Sequence, residues 1–239
     1  MKRICYVVAM VAEAKPFIDR YHIQEKEGFF APLPCLLYEG EVNGMTLDVV
    51  LNGQEHGSDL VGCEAATVAT MAATEQLHPD LIINSGTCGA FRANGADIAE
   101  VYIGNGVMFH DRRVPGDDAW GTQSLGNYPV WEGSTQMALE LGFKMGKVTT
   151  GSSLDMQPCD LKMIQQHGGE LKDMEGAAVG FVCSLLKVPI LYVKSVTDLC
   201  DGGAETYEEF SRNLNAACEA LKRANEKVID YLTGQIPVV

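Results

Sequence analysis

The stretch from Leu171 to Gly202 constrains the fold more than any other part of the sequence. Gly176 to Leu186 is small and apolar and carries no charge, which is typical of a helix packed closely against a sheet, and Val188-Pro189 ends it. The β-branched and aromatic run from Pro189 to Val196 then predicts an interior strand that ends in a loop. A buried helix followed by a buried strand is the repeating unit of an α/β protein.

An acidic residue stands at each end of this helix–strand unit. Glu175 comes at the start of the helix, where a carboxylate can simply match the charge of the helix terminus. Asp198 follows the strand, where it can be a turn former. However, ligands of open α/β sheets bind beyond the carboxyl ends of the strands, which is where Asp198 is expected. Both residues are therefore candidates for function as well as for structure.

The same alternation of strands and helices extends over the rest of the chain. An Asn43-Gly44 pair between two strand-like runs is the strongest hairpin signal in the sequence. The patterns predict strands at Arg3–Met10, Leu36–Glu41, Thr46–Asn52, Asp80–Asn84, Ile98–Phe109 and Lys147–Gly151, and helices from about Pro16, at Ser58–Leu77, at Pro158–His167 and from Thr206. We therefore expect one three-layer α/β/α domain, residues 1–239, around a central parallel or mixed sheet.

Two further strand ends carry residues that suit a ligand site. The first strand delivers Glu13 to the same edge of the sheet as Asp198. The strand at Asp80–Asn84 runs into Ser85-Gly86-Thr87-Cys88-Gly89, where glycine lets the backbone approach a ligand, although a structural tight turn explains the pattern equally well. The turn matches neither the dinucleotide fingerprint nor the P-loop, so no nucleotide cofactor is expected.

Composition narrows the classes of partner and compartment. A net charge of −14 argues against nucleic acid and anionic membranes, which need clustered Lys and Arg, so a small-molecule partner is expected. The eight cysteines show no zinc spacing, and His110-Asp111 lacks further ligands, so no metal is expected. Glu13 and Lys15 interrupt the apolar start before it reaches the length of a signal peptide, and no apolar run approaches a membrane span. These features favour a cytoplasmic protein.

Five motifs occur in an order that resembles a known family. They are Ala9-Met10 with Ala12-Glu13, the run from Ile83 to Gly89, His110-Asp111, the Lys-Asp-Met-Glu-Gly-Ala-Ala run from Lys172, and Val196-Thr197-Asp198. Together they resemble the 5′-methylthioadenosine nucleosidases of the nucleoside phosphorylase superfamily. Phe109 to Arg113 and Thr150 to Met156 are most similar to the plant-type branch.

The resemblance implies a fold, an activity and a set of site residues. It implies a nucleoside phosphorylase-like fold and hydrolysis of the N-glycosidic bond of 5′-methylthioadenosine in methionine salvage. It leaves open whether S-adenosylhomocysteine is a second substrate. Asp198 corresponds to the acid that protonates adenine N7, Glu13 to the carboxylate that activates water, and Met174 and Glu175 to residues that hold the ribose hydroxyls. The other implied contacts with the substrate are Met10, Thr87, Cys88, Gly89, Leu154, Asp155, Met156 and an aromatic ring from Tyr207 or Phe210. Val114 matches a position that reaches into the partner's alkylthio pocket, which implies a homodimer with a shared active-site wall.

The chemistry of glycosidic cleavage suits these residue types, since the leaving base needs a proton donor and the attacking water needs a base. Two other functions are compatible with the fold. One is a phosphorylase, but relatives of that kind carry an arginine for phosphate where this chain has Asn84-Ser85. The other is a non-catalytic protein that binds adenine nucleosides, which would not need Glu13, Glu175 and Asp198 together.

Overall fold

The computed structural model describes residues 1–114 and 118–234. Within these residues, seven α-helices and eleven β-strands alternate along the chain, with a single 3₁₀ turn at Arg92–Asn94. The strands are β1 (Arg3–Val8), β2 (Gln24–Glu25), β3 (Leu36–Val42), β4 (Met45–Leu51), β5 (Gln54–Glu55), β6 (Ser58–Asp59), β7 (Leu81–Ala90), β8 (Val101–Phe109), β9 (Lys144–Thr150), β10 (Leu171–Asp173) and β11 (Ile190–Leu199). The helices are α1 (Val11–Tyr21), α2 (Cys63–Leu77), α3 (Asp118–Leu125), α4 (Ser134–Leu141), α5 (Pro158–Gln166), α6 (Gly176–Leu186) and α7 (Thr206–Leu232).

A mixed sheet of nine strands forms the middle layer, in the order β10-β9-β8-β11-β7-β1-β4-β3-β2. β1 runs parallel to both β4 and β7, and β7 runs parallel to β11. β10 pairs in parallel with β9 and in antiparallel fashion with β7. The five strands β10, β9, β8, β11 and β7 therefore close into a ring at one end of the sheet. The carboxyl ends of β1, β7 and β11 lie at one edge of the sheet, as predicted for the site.

Helices cover both faces of the sheet, which confirms the three-layer α/β/α architecture. In β1, Cys5 and Val7 pack in one core with α2 and α6, whereas Tyr6 and Val8 pack in a second core with α1, α4 and α7. This alternation follows from the two-residue period of a strand that is buried on both faces. The sheet therefore separates two apolar cores. No helix in the described part of the chain is both long and apolar enough to cross a bilayer.

β7 and β11 are longer than the sequence predicted, which corrects two expectations. The segment from Ser85 to Ala90 was expected to be a turn but continues β7, since it pairs with β11 on one side and, at Gly89 and Ala90, with β10 on the other. A side chain at Gly89 would meet Asp198 Oδ2 at 2.7 Å, so glycine allows this close approach of strands. Asp198 correspondingly lies inside β11 rather than beyond it.

Several helix boundaries also differ from the predicted ones. α1 begins at Val11 rather than near Pro16, which places Glu13 in the first helical turn. α2 begins at Cys63 rather than at Ser58, because Ser58 and Asp59 pair with Gln54 and Glu55 in a small hairpin. The polar segment before Tyr128, expected to be a loop, contains α3, whose weak amphipathic pattern gave no helical signal. The Asn43-Gly44 hairpin is confirmed, with both residues at positive φ.

Candidate active site

A cavity of about 260 Å³ opens at the carboxyl edge of β1, β7 and β11, where the end of β10 also arrives. Its volume is near the lower end for small-ligand pockets. The structure brings ten of the predicted site residues to this cavity, namely Met10, Glu13, Thr87, Cys88, Gly89, Leu154, Met174, Glu175, Asp198 and Phe210. Five further lining residues were given no site role from the sequence, although all but Val61 lie in the motifs above; they are Ala9, Val61, Lys172, Asp173 and Thr197.

Glu13 is held rigidly by three hydrogen-bond donors. Its Oε1 accepts from the Thr87 backbone N at 2.7 Å and from the Thr87 hydroxyl at 2.8 Å, and its Oε2 accepts from the Met10 backbone N at 3.1 Å. Burial raises the pKa of Glu13, while the Thr87 hydrogen bonds and the charge of Lys194 act in the opposite direction. All three donors favour the ionised carboxylate, which suits a base.

Glu175 is the N-cap residue of α6 and lines the same cavity. Its Oε1 accepts from the Gly62 backbone N at 2.7 Å, which ties α6 to the segment before α2. Burial, followed by the negative charge of Asp173, raises the pKa of Glu175 to about 7. This carboxyl group therefore changes protonation near neutral pH, and it can either donate or accept a hydrogen bond.

Asp198 has fewer donors than Glu13. The Thr197 hydroxyl lies 2.8 Å from Asp198 Oδ1, and the other oxygen, Oδ2, and the Cys200 thiol both face the space beside Gly89. Burial raises the pKa of Asp198, the Thr197 hydrogen bond and Lys172 lower it, and the charge of Glu209 raises it. Burial thus raises the pKa of both acids, but their hydrogen bonds differ, since Glu13 accepts from three donors and Asp198 accepts from the Thr197 hydroxyl. Hydrogen bonds to a carboxylate favour its ionised form, so Glu13 receives more support as an anion than Asp198 does.

A buried ion pair supports the acidic side of the cavity. Lys194 Nζ lies 2.8 Å from Asp173 Oδ2, and both side chains are almost fully buried. Asp173 also accepts from the Thr150 hydroxyl at 2.6 Å and from the Gly176 backbone N at 2.9 Å. The raised pKa of Lys194, despite an opposing desolvation effect, reflects the carboxylates of Asp173, Glu175 and Glu13 around it. The sequence carried a signal for this pair, since Lys194 interrupts an otherwise apolar strand.

Lys172 fixes the loop that closes another side of the cavity. Its ammonium group donates to the backbone oxygens of Ser153 and Leu154 at 2.7 and 2.9 Å. Lys172 is buried, and its position opposite Gly89 in the sheet carries it to the cavity wall. The segment from Ser153 to Leu154 is therefore anchored by β10, which the sequence did not predict.

The structure places four of the predicted site residues away from this cavity. Val114 is 46% exposed and Tyr207 is 62% exposed. Asp155 accepts from the Gln157 side chain at 3.1 Å, and Met156 lines a separate small cavity beside α5 and Cys200. Of the two aromatic candidates, Phe210 lines the cavity and Tyr207 does not.

The fold and the site together define an α/β protein with a cavity at the strand ends, lined by carboxyl groups in unequal environments. Residues 3–230 match the family model of the phosphorylase superfamily, and the chain belongs to this superfamily. It is 39% identical to a 5′-methylthioadenosine nucleosidase of Arabidopsis thaliana over 97% of this chain and 88% of that protein. It is 37% identical to a 5′-methylthioadenosine/S-adenosylhomocysteine nucleosidase of the same plant over 97% of this chain and 92% of that protein.

The same similarity holds in three dimensions. The apo structure of the Arabidopsis thaliana 5′-methylthioadenosine nucleosidase superposes with a TM-score of 0.95, at 38% identity, over 98% of this chain and 97% of that chain. The resemblance drawn from the five sequence motifs, and the nucleoside phosphorylase-like fold that it implied, are therefore confirmed.

Proposed function

We propose that this protein is an N-glycosyl hydrolase that cleaves 5′-methylthioadenosine into adenine and the 5-thioribose, a step of methionine salvage. The observation that carries the proposal is the presence of Glu13 and Asp198 at one cavity, with three hydrogen-bond donors on Glu13 and the Thr197 hydroxyl on Asp198. The similarity to the plant nucleosidases over 97% of the chain supports the same reaction and substrate.

Each acid has the surroundings that its role requires. Asp198, whose pKa is raised by burial, donates a proton to N7 of the leaving adenine. Glu13, with its three donors, remains ionised and orients the water that attacks C1′. Glu175 and Met174 hold the ribose hydroxyls between the two acids. The apolar side chains of Met10, Met174 and Leu154 limit loose water in the cavity, which strengthens these electrostatic interactions.

The residues beside β7 support water rather than phosphate as the nucleophile. Asn84 is buried and donates to the Val7 backbone oxygen at 3.1 Å, and Ser85 is hydrogen-bonded to Asn225. Both are neutral and engaged within the core, where phosphorylases of this superfamily carry a phosphate-binding arginine. Phosphate binding favours a bidentate cation, which these two residues do not supply.

The decisive experiment measures adenine release from 5′-methylthioadenosine in phosphate-free buffer. We expect full turnover without phosphate and a free sugar as the second product. Turnover that depends strictly on phosphate, with a sugar 1-phosphate as product, would show a phosphorylase instead. Tight binding of the nucleoside without cleavage would show a binding protein. The same assay with S-adenosylhomocysteine measures how well the longer 5′ substituent is accepted.

We further propose that the protein forms a single domain over residues 1–239 and acts as a homodimer in the cytoplasm. Exposed apolar side chains on the layer of α2 and α6 support a dimer, since such a cluster suits a second copy of the chain; they are Val68, Met71, Phe181 and Leu185. The eight cysteines are all free thiols, as expected in a reducing compartment. Val114 is exposed and available as the shared wall, whereas Pro115, which we also expect in this contact, lies outside the described residues.

The dimer proposal has its own test. Sedimentation should show a dimer at assay concentrations, and Val114→Asp should raise KM for 5′-methylthioadenosine while leaving the thermal stability of the subunit nearly unchanged. A fully active monomer would contradict the dimer. An unchanged KM in the variant would contradict only the role of Val114.

A further inference from the structure

The end of β11, which carries Asp198, contains a β-bulge. Val196 pairs with Cys88 and Asp198 pairs with Gly89, so Thr197 is an additional residue in β11 relative to β7. A bulge of this kind rotates the following side chain relative to a regular strand, and bulges often occur next to active sites. The direction in which Asp198 points therefore depends on how firmly the bulged backbone is held.

Two side chains from one face of α7 hold this backbone. Glu209 Oε2 accepts from the Leu199 backbone N at 2.9 Å, and Asn213 Nδ2 donates to the Thr197 backbone oxygen at 2.9 Å. Glu209 and Asn213 are four residues apart in α7, so they project from the same side of the helix. The two hydrogen bonds hold the residues directly before and after Asp198.

We propose, on the basis of the hydrolase function above, that Glu209 is a positioning residue for the proton-donating carboxyl group of Asp198. Glu209 acts in two ways. Its hydrogen bond to Leu199 fixes the bulge, and its negative charge, held at the residue after Asp198, disfavours a second carboxylate nearby.

The charged and titratable groups around Asp198 make the second effect testable. Glu209 from α7 raises the pKa of Asp198, and Lys172 from β10 lowers it. The Cys200 thiol faces the same space beside Gly89 as Asp198 Oδ2, and burial and the charge of Asp198 raise the pKa of Cys200 to about 12, so this thiol stays neutral. Burial is the largest cause of the raised pKa of Asp198 and persists without Glu209, but removing the charge of Glu209 takes away the second contribution that raises this pKa, which should therefore fall.

The test compares Glu209→Gln with Glu209→Ala and with Glu208→Gln as a matched control. The Glu209→Gln variant retains a side-chain oxygen that can accept from Leu199 but has no charge, whereas the Glu209→Ala variant loses both the oxygen and the charge. Glu208 is an exposed acid one position earlier in the same helical turn, and its loss removes the same charge without a contact to β11.

We expect the basic limb of the kcat pH profile to move to lower pH in Glu209→Gln, with KM nearly unchanged. In Glu209→Ala, kcat should also fall by about 10-fold or more, because the acid is no longer held in place. Glu208→Gln should behave as the wild type. The proposal would be overturned if both Glu209 variants had the same basic limb of the pH profile and the same kcat as Glu208→Gln.

A measurement that does not depend on turnover separates this proposal from the proposed function. Infrared titration of the carboxyl band that disappears in Asp198→Asn reports the protonation of Asp198 directly. That band should titrate at lower pH in Glu209→Gln than in Glu208→Gln, and equal titration would contradict the role of the Glu209 charge. If the wild type released no adenine, the hydrolase function would be contradicted, but the infrared titration would still test the effect of Glu209 on Asp198.

Discussion

Substitution of Lys194 should reveal how strongly the buried ion pair stabilises the fold. Lys194→Met keeps the apolar stem but leaves the Asp173 carboxylate buried without its cation, 2.8 Å from the former ammonium group. Removing one partner of a buried pair costs about 3–5 kcal/mol. Because Asp173 retains the donors Thr150 and Gly176, we expect the lower end, about 3 kcal/mol, which lowers Tm by roughly 6–12 °C in a chain of this size.

Chemical denaturation and calorimetry measure this loss, and Lys15→Met provides the control. Lys15 and Asp19 form an ion pair of similar length, 2.7 Å, but both side chains are more than half exposed, so its loss should cost at most about 1 kcal/mol. Adding Asp173→Asn to Lys194→Met should restore part of the stability, with a coupling of about 1 kcal/mol or more. The reasoning is refuted if the two lysine variants lose equal stability, or if the double variant is no more stable than Lys194→Met.

Three further outcomes follow from the site. Asp198→Asn should retain the fold but lower kcat by on the order of 10²-fold or more, because the transferable proton is lost, and unchanged turnover would remove Asp198 from the acid role. Gly89→Ala should lower kcat by roughly 10-fold or more, since its Cβ would stand 2.7 Å from Asp198 Oδ2. Gly86→Ala should lower kcat less, because its Cβ would stand 3.2 Å from Glu13 Oε1. Equal kcat values in the two variants would contradict this. The pKa of Glu175 is raised by burial from 4.5 to about 7, so the folded state binds the additional proton, and Glu175 should make the wild-type stability fall as the pH rises between these values. Glu175→Gln should lose this part of the fall, and equal pH dependence of denaturation in the variant and the wild type would contradict the reasoning.

Sequence patterns predicted the parts of this protein that depend on local periodicity and strand ends. The core strands, the hairpin at Asn43-Gly44 and the convergence of Glu13 and Asp198 at one edge all follow from hydrophobic patterns and the parallel arrangement. The substrate roles of these acids came only from the family resemblance, because periodicity carries no information about which ligand a carboxylate contacts.

The remainder of the site depends on pairings between distant segments. β10 has only three residues, too few for a periodic signal, and Lys172 and Asp173 within it resemble surface charges in the sequence. Their burial arises because β10 is inserted between β7 and β9. Lys194 was the one local hint, since a cation in a buried strand requires a carboxylate partner nearby.

Because β10 closes the sheet, the short segment from Lys172 to Glu175 reaches the cavity that contains Glu13 and Asp198. Lys172 pairs opposite Gly89, which also pairs with Asp198, and Glu175, three residues after Lys172, is the N-cap residue of α6 and accepts from the Gly62 backbone N. This short segment thus supplies both a cation and a carboxyl group to the same cavity. Burial raises the pKa of Asp198 and the Thr197 hydrogen bond lowers it, and to these effects β10 adds the cation of Lys172 and α7 adds the opposing charge of Glu209. The three hydrogen bonds to Glu13 come from Thr87 and Met10 and thus involve neither Lys172 nor Glu209.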